Sequence, residues 1–251
     1  MKKFDNHSAN PDLCNKNKEM KRPPFSEKMK LADVLHADYR LLLLLPRFGL
    51  DLGFGDKTVG ECCKAHDITA SLFLMICNIY TCEHYLPSEK EIRNTDVRQL
   101  VSYLERSHAY YLEKRLNAIR NQLQIIACNC EAQHKKILNR FFEEYRKEVI
   151  NHFEYEEKTV FPYVLNMSHG NKTAGYEIEI FERNHSNIDD KLNDLKNIII
   201  KYLPGNSSPI ERTNVLFDIF SLEEDLSKHS LIEDKILIPL VQNLEEEYGK
   251  Y

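Results

Sequence analysis

The sequence predicts an all-α protein, an up-down four-helix bundle preceded by a small helical N-terminal domain, and three observations carry that prediction. The first is composition: 251 residues contain only eight Gly and nine Pro against 42% apolar residues, which favours long helices over a turn-rich β protein. The second is a motif that occurs twice. His152-Phe-Glu-Tyr-Glu156-Glu157-Lys158-Thr-Val-Phe-Pro162 and His229-Ser-Leu-Ile-Glu233-Asp234-Lys235-Ile-Leu-Ile-Pro239 share a His, a Glu four positions on, an acid-Lys pair and a Pro ten positions on. The third is spacing, since His108 precedes His152 by 44 positions and His185 precedes His229 by 44.

A helical hairpin accounts for the spacing. If each His lies near the middle of a helix, the chain climbs about 20 residues (~30 Å), turns in about four and descends to the same level. His108 then faces His152 and Glu156, and His185 faces His229 and Glu233. Pairing the hairpins brings four imidazoles and two carboxylates to one depth of the bundle, a two-metal site with a ligand from every helix. One HxxxE alone is more often a surface pair one helical turn apart. Two copies with matched flanks and equal upstream spacing are not accounted for that way.

Residues 1–28, with the Arg22-Pro23-Pro24 run and no apolar periodicity, read as a tail without fixed structure. Residues 29–86 read as the small helical domain. A helical pattern runs from near Ser26 through Leu31, Val34 and Leu35 to Leu45, where Pro46 should stop it. The segment Phe48 to Asp56 carries three glycines and predicts a tight loop. Thr58 with Glu61 is a capping box that opens a short helix through Cys62 and Cys63, and another helix follows from Thr69 to Tyr80. Pro87 to Glu91 reads as a polar linker.

The bundle is expected over residues 95–247. Its first helix, to about Ala127, places Leu100, Leu104, His108, Tyr111, Leu112, Arg115 and Ile119 on one stripe. The second, about Glu131 to Leu165, turns Glu148, His152, Tyr155 and Glu156 inward, and Pro162 should kink its end. The third, about Tyr176 to Tyr202, has Ile178, Phe181, His185, Ile188 and Leu192 as its core stripe. Pro204 to Pro209 predicts a turn, and the fourth helix runs from Ile210 to about Pro239 with an acidic tail helix after it. His36, His66, His84, His134 and His169 fall outside the repeated register.

Charge and cysteine content exclude several classes. A net charge of −5 with mixed signs gives no nucleic-acid footprint. No apolar run reaches the roughly 18 residues that a membrane helix needs, so a cytoplasmic protein with no membrane partner is expected. Seven cysteines without regular spacing fit reduced thiols better than a disulfide framework. Imidazoles and carboxylates without thiolates suit iron, manganese or zinc, and two bridging carboxylates would leave open positions on a redox-active metal pair.

At these residues the sequence resembles the hemerythrin-like family, and within it the iron-sulfur cluster repair branch, the repair of iron centres proteins. The resemblance covers roughly residues 30 to 245 and is carried by His108, His152, Glu156, His185, His229 and Glu233 with the Pro after each HxxxE. It implies two non-haem iron ions on those six residues. It also implies a stress-response protein that reacts with nitric oxide, O₂ or peroxide and protects or repairs the iron-sulfur clusters of client proteins. Oxygen-carrying hemerythrins have a fifth His one turn after the third-helix ligand, where this chain has Asp189, so a pure carrier is not implied. The repair branch has adjacent cysteines in its N-terminal loop, where this chain reads Asp51-Leu-Gly-Phe-Gly55. Cys62 and Cys63 lie later, in the expected helix, and are not substitutes. Glu148, one turn before His152, is a candidate for supporting a ligand or carrying a proton. The other class of function is a binding or sensing module for O₂, nitric oxide or iron without turnover. The sequence leaves the oligomeric state open.

Overall fold

A computed structural model describes residues 25–82, 84–128, 130–171, 175–184, 190–203 and 208–248. The expected tail falls mostly outside these residues, and so do His185 and Asp189. From Phe25 onward the chain is tied down: the Phe25 N–H donates to Asn78 Oδ1 at 3.0 Å, and Gly60 N–H donates to the Glu27 carbonyl at 3.0 Å.

The N-terminal unit holds α1 (Leu31–Ala37), a 3₁₀ turn (Tyr39–Leu43), α2 (Leu44–Phe48), α3 (Val59–Ala65), α4 (Ala70–Thr81) and α5 (Glu89–Arg93). Two expectations are corrected here. The helix expected up to Leu45 breaks at Asp38, which is extended and accepts a hydrogen bond from Arg40 N–H, so it restarts the chain rather than continuing the helix. Pro46 does not stop a helix but sits in the first turn of α2, where its missing N–H has no intrahelical partner to lose. The helix ends instead at Gly49, whose φ of 74° is the left-handed cap conformation that suits glycine. The Thr58 and Glu61 capping box forms as expected. The expected linker contains α5, opened by a second capping box between Ser88 and Glu91.

Each long bundle helix contains a wide π turn that the hydrophobic pattern does not announce. Helix α6 joins Val97–Tyr110, a π segment Tyr111–Arg115 and Leu116–Cys128 without a break. Helix α7 joins Ala132–Tyr155, a π segment Glu156–Val160 and Phe161–Ser168. Two segments represent the third helix, α8 (Ile178–Asn184) and α9 (Asp190–Asn197 with the π segment Ile198–Tyr202). Helix α10 joins Pro209–Ile232, a π segment Glu233–Leu237 and Ile238–Tyr248, so the acidic tail is a continuation of the fourth helix. Pro162 and Pro239 therefore do not end their helices. Each follows an i→i+5 turn that starts at the motif Glu, with Phe161 N–H on the Glu156 carbonyl and Ile238 N–H on the Glu233 carbonyl. The wide turn takes up the hydrogen bond that a proline cannot make.

Helix α6 packs on α7 and α10, and α9 packs on the same two, which closes the up-down ring. Two apolar clusters fill it. One, with Leu123, Leu138, Leu195 and Val215, lies toward the hairpin tips; the other joins Leu100, Val164 and Ile236 to Leu44, Phe73 and Ile76 of the N-terminal unit. The N-terminal unit and the lower half of the bundle thus share one core. Among the described residues no helix is long and apolar enough to cross a membrane.

Candidate metal centre

His108, Glu156, His229 and Glu233 are buried together, each offering one ligand atom, and these four atoms lie within 4.8 Å of one another. The helices deliver them from three sides. His108 comes from α6, Glu156 opens the π turn of α7, and in α10 His229 lies in the last α-helical turn before the π turn that Glu233 opens. His108 Nε2 stands 3.1 Å from Glu156 Oε2 and 3.1 Å from His229 Nε2. His152 Nε2 is 2.9 Å from the other oxygen of Glu156, and His229 Nε2 is 3.2 Å from Glu233 Oε1. Five of the six residues expected from spacing therefore meet; the sixth, His185, lies outside the described residues.

Aromatic rings wall the cluster. Phe153 stacks on His108 with centroids 3.9 Å apart, and Phe161 lies near-parallel at 5.5 Å. Tyr111 sets its ring edge to face against His229 at 5.6 Å. His152 is the most open member, its side chain 13% exposed where those of His108, Glu156 and Glu233 show none.

Burying two carboxylates side by side is costly unless positive charge answers them. Burial and the Glu233 charge both push the Glu156 carboxyl up, and hydrogen bonds to His108 and His152 outweigh them and hold it below the usual range. Burial pushes His108 down, yet hydrogen bonds to Glu156 and Glu157 carry it up to about 9. A metal must displace that proton to reach the imidazole, so apparent metal affinity climbs with pH and levels off above about 9. The donor set fits a divalent cation. His108 Nε2 faces an oxygen and a nitrogen at 3.1 Å, and one proton cannot serve both, whereas a cation between them serves all.

Three residues were missed or placed differently by the sequence. Glu148 forms an ion pair with Lys191 of α9, on the flank of the bundle, rather than with an imidazole of the cluster. Glu157 instead reaches the cluster, 3.0 Å from His108 Nδ1. The acid-Lys pair after each HxxxE was the sequence signal for it. Arg47, fully inside the molecule, pairs with Asp225, one turn before His229, and no local pattern announces that contact.

Cys62 and Cys63 are buried in α3, away from these ligands, and burial raises both thiols, Cys63 to about 12. At pH 8 a thiol reagent should label exposed Cys128 within minutes and leave Cys63 nearly untouched, and Cys62→Ser with Cys63→Ser should leave metal content unchanged. Fast labelling of Cys63, or loss of metal from the double variant, would show a functional role for the pair.

A helical bundle that converges buried imidazoles and carboxylates on one point is the architecture of a cation-binding domain. Residues 99–241, more than half of the chain, match the family model described as the hemerythrin HHE cation binding domain, and the chain belongs to the hemerythrin family. No curated protein matches the chain.

Proposed function

We propose that this protein is a non-haem di-iron protein of the nitrosative and oxidative stress response, holding two irons on His108, His152, Glu156, His185, His229 and Glu233. The observation that carries the reading is the buried pair of motif carboxylates, Glu156 and Glu233, each answered by imidazole nitrogens within 3.2 Å. When bound, such an iron pair supplies electrons and open positions for O₂, peroxide or nitric oxide. The chain supplies the rest. Phe153, Phe161 and Tyr111 keep bulk water from the cluster, and the partly exposed His152 edge is where a diatomic ligand enters. Asp189 stands at the register where a carrier has its fifth His, which supports reaction over reversible storage. Because Asp51 to Gly55 has no thiol, protection of iron-sulfur clients in a reducing cytoplasm rests on removing the oxidant at the metals, not on sulfur hand-over.

Iron analysis and an optical spectrum of anaerobically purified protein, followed by exposure of the reduced form to nitric oxide or peroxide, test the reading. Two irons per chain and many turnovers are expected, together with slower loss of activity in an iron-sulfur enzyme challenged in the same vessel. Uptake and release of the ligand through repeated cycles without oxidation would establish a binding or sensing module instead.

A further inference from the structure

Consecutive carboxylates grip opposite nitrogens of a single imidazole. Glu156 Oε2 is 3.1 Å from His108 Nε2, and Glu157 Oε1 is 3.0 Å from His108 Nδ1. In a regular α-helix neighbouring side chains diverge by about 100°, which would turn the second carboxylate away from α6. Here both carboxylates nonetheless reach the same ring, at the point where the helix passes into the π turn that opens at Glu156. The two differ in environment. The Glu156 side chain has no exposed surface, whereas that of Glu157 is 44% exposed.

We propose that Glu157 is a positioning residue of the metal centre: its carboxylate accepts the Nδ1–H of His108 and fixes the tautomer and ring angle that aim Nε2 at the metal. The inference rests on the reading of this cluster as a metal centre. Stacking by Phe153 at 3.9 Å fixes the plane of the ring but not which nitrogen carries the proton. A neutral imidazole has one N–H and one lone pair, and an acceptor at Nδ1 assigns the lone pair to Nε2. His229 lacks such a clasp among the described residues, its Nδ1 being buried without a hydrogen-bond partner. Asp234 occupies the register of Glu157 in the second copy, directly after Glu233 and inside the corresponding π turn. The repeated unit is thus HxxxE followed by an acid.

Glu157→Leu and Glu157→Gln, each loaded with cobalt(II), separate positioning from bulk structure. Affinity is read by competition with a chromogenic chelator, and the imidazole N–H by its exchangeable, hyperfine-shifted proton resonance. The Leu variant should bind cobalt about 10- to 100-fold more weakly and lose that resonance to faster exchange. The Gln variant keeps a carbonyl acceptor and should recover most of both. In the metal-free proteins the Leu variant should unfold at a modestly lower midpoint than wild type and the Gln variant lie between them, because Glu157 answers a buried imidazole, while all three stay folded under the assay conditions. Unchanged affinity and an intact resonance in the Leu variant would overturn the proposal, as would a Gln variant as weak as the Leu one. Failure of the wild-type chain to bind two cobalt ions would instead overturn the metal-centre reading itself, and the positioning role with it.

Discussion

Glu156→Ala and Glu233→Ala proteins purified anaerobically are expected to retain well under half of the wild-type iron. Glu156 reaches His108 of α6 and His152 of its own helix from one side chain, and Glu233 lies 3.2 Å from His229 in the same buried cluster. In the proposed di-iron centre a carboxylate shared between the two metals would be lost to both, so the effect should exceed that of losing a terminal imidazole. Removing one carboxylate also leaves His108, carried to about 9 by its acidic neighbours, with less to hold its charge in a buried place. Glu156→Gln and Glu233→Gln keep the volume of the side chain and serve as folded controls. They too should lose metal, because a neutral amide is a poor ligand for a hard divalent cation. Iron measured per folded chain decides the matter, and full retention of two irons by both Ala variants would show that the cluster is not the metal centre.

The duplicated motif was legible because helical periodicity is a local property. A His and a Glu four apart share a face whatever surrounds them, and equal hairpin arms carry that face to a common depth. The same periodicity hid Glu157. Adjacent positions on a regular helix face apart, yet Glu157 reaches His108 Nδ1 at 3.0 Å where the helix passes into the π turn starting at Glu156. The prolines six positions after Glu156 and Glu233 marked where the backbone had to depart from α-helical bonding, but a kink and a π turn leave the same trace in sequence. The Ser88 and Glu91 capping box was readable from spacing alone, as that of Thr58 and Glu61 was. Arg47 and Asp225 were not readable, for they are polar residues 178 positions apart whose pairing depends on how the N-terminal unit docks.

Asp225→Ala should destabilise the protein by about 3–5 kcal/mol, a large share of the roughly 5–15 kcal/mol that holds a domain of ordinary stability together. Arg47 is 2% exposed and Asp225 4%, so neither has water to fall back on. The guanidinium also donates to the Tyr80 hydroxyl at 3.0 Å, and Tyr80 in turn donates to Asp225 Oδ1 at 2.6 Å. Tyr111 donates to the Asp225 backbone carbonyl at 3.2 Å while its ring lies against His229. Removing the carboxylate strands a buried cation and the Tyr80 hydroxyl, whereas removing both partners strands only that hydroxyl, since Tyr111 keeps its bond to the backbone carbonyl. Arg47→Met combined with Asp225→Leu is therefore expected to fall within about 1–2 kcal/mol of wild type, since a well-packed apolar pair often replaces a buried ion pair at little cost. Urea unfolding of the metal-free single and double variants measures both quantities. A single variant as stable as wild type would mean that water or a neighbouring acid answers Arg47. A double variant no more stable than the single would show that packing around the docked N-terminal unit, not the stranded charge, sets the loss.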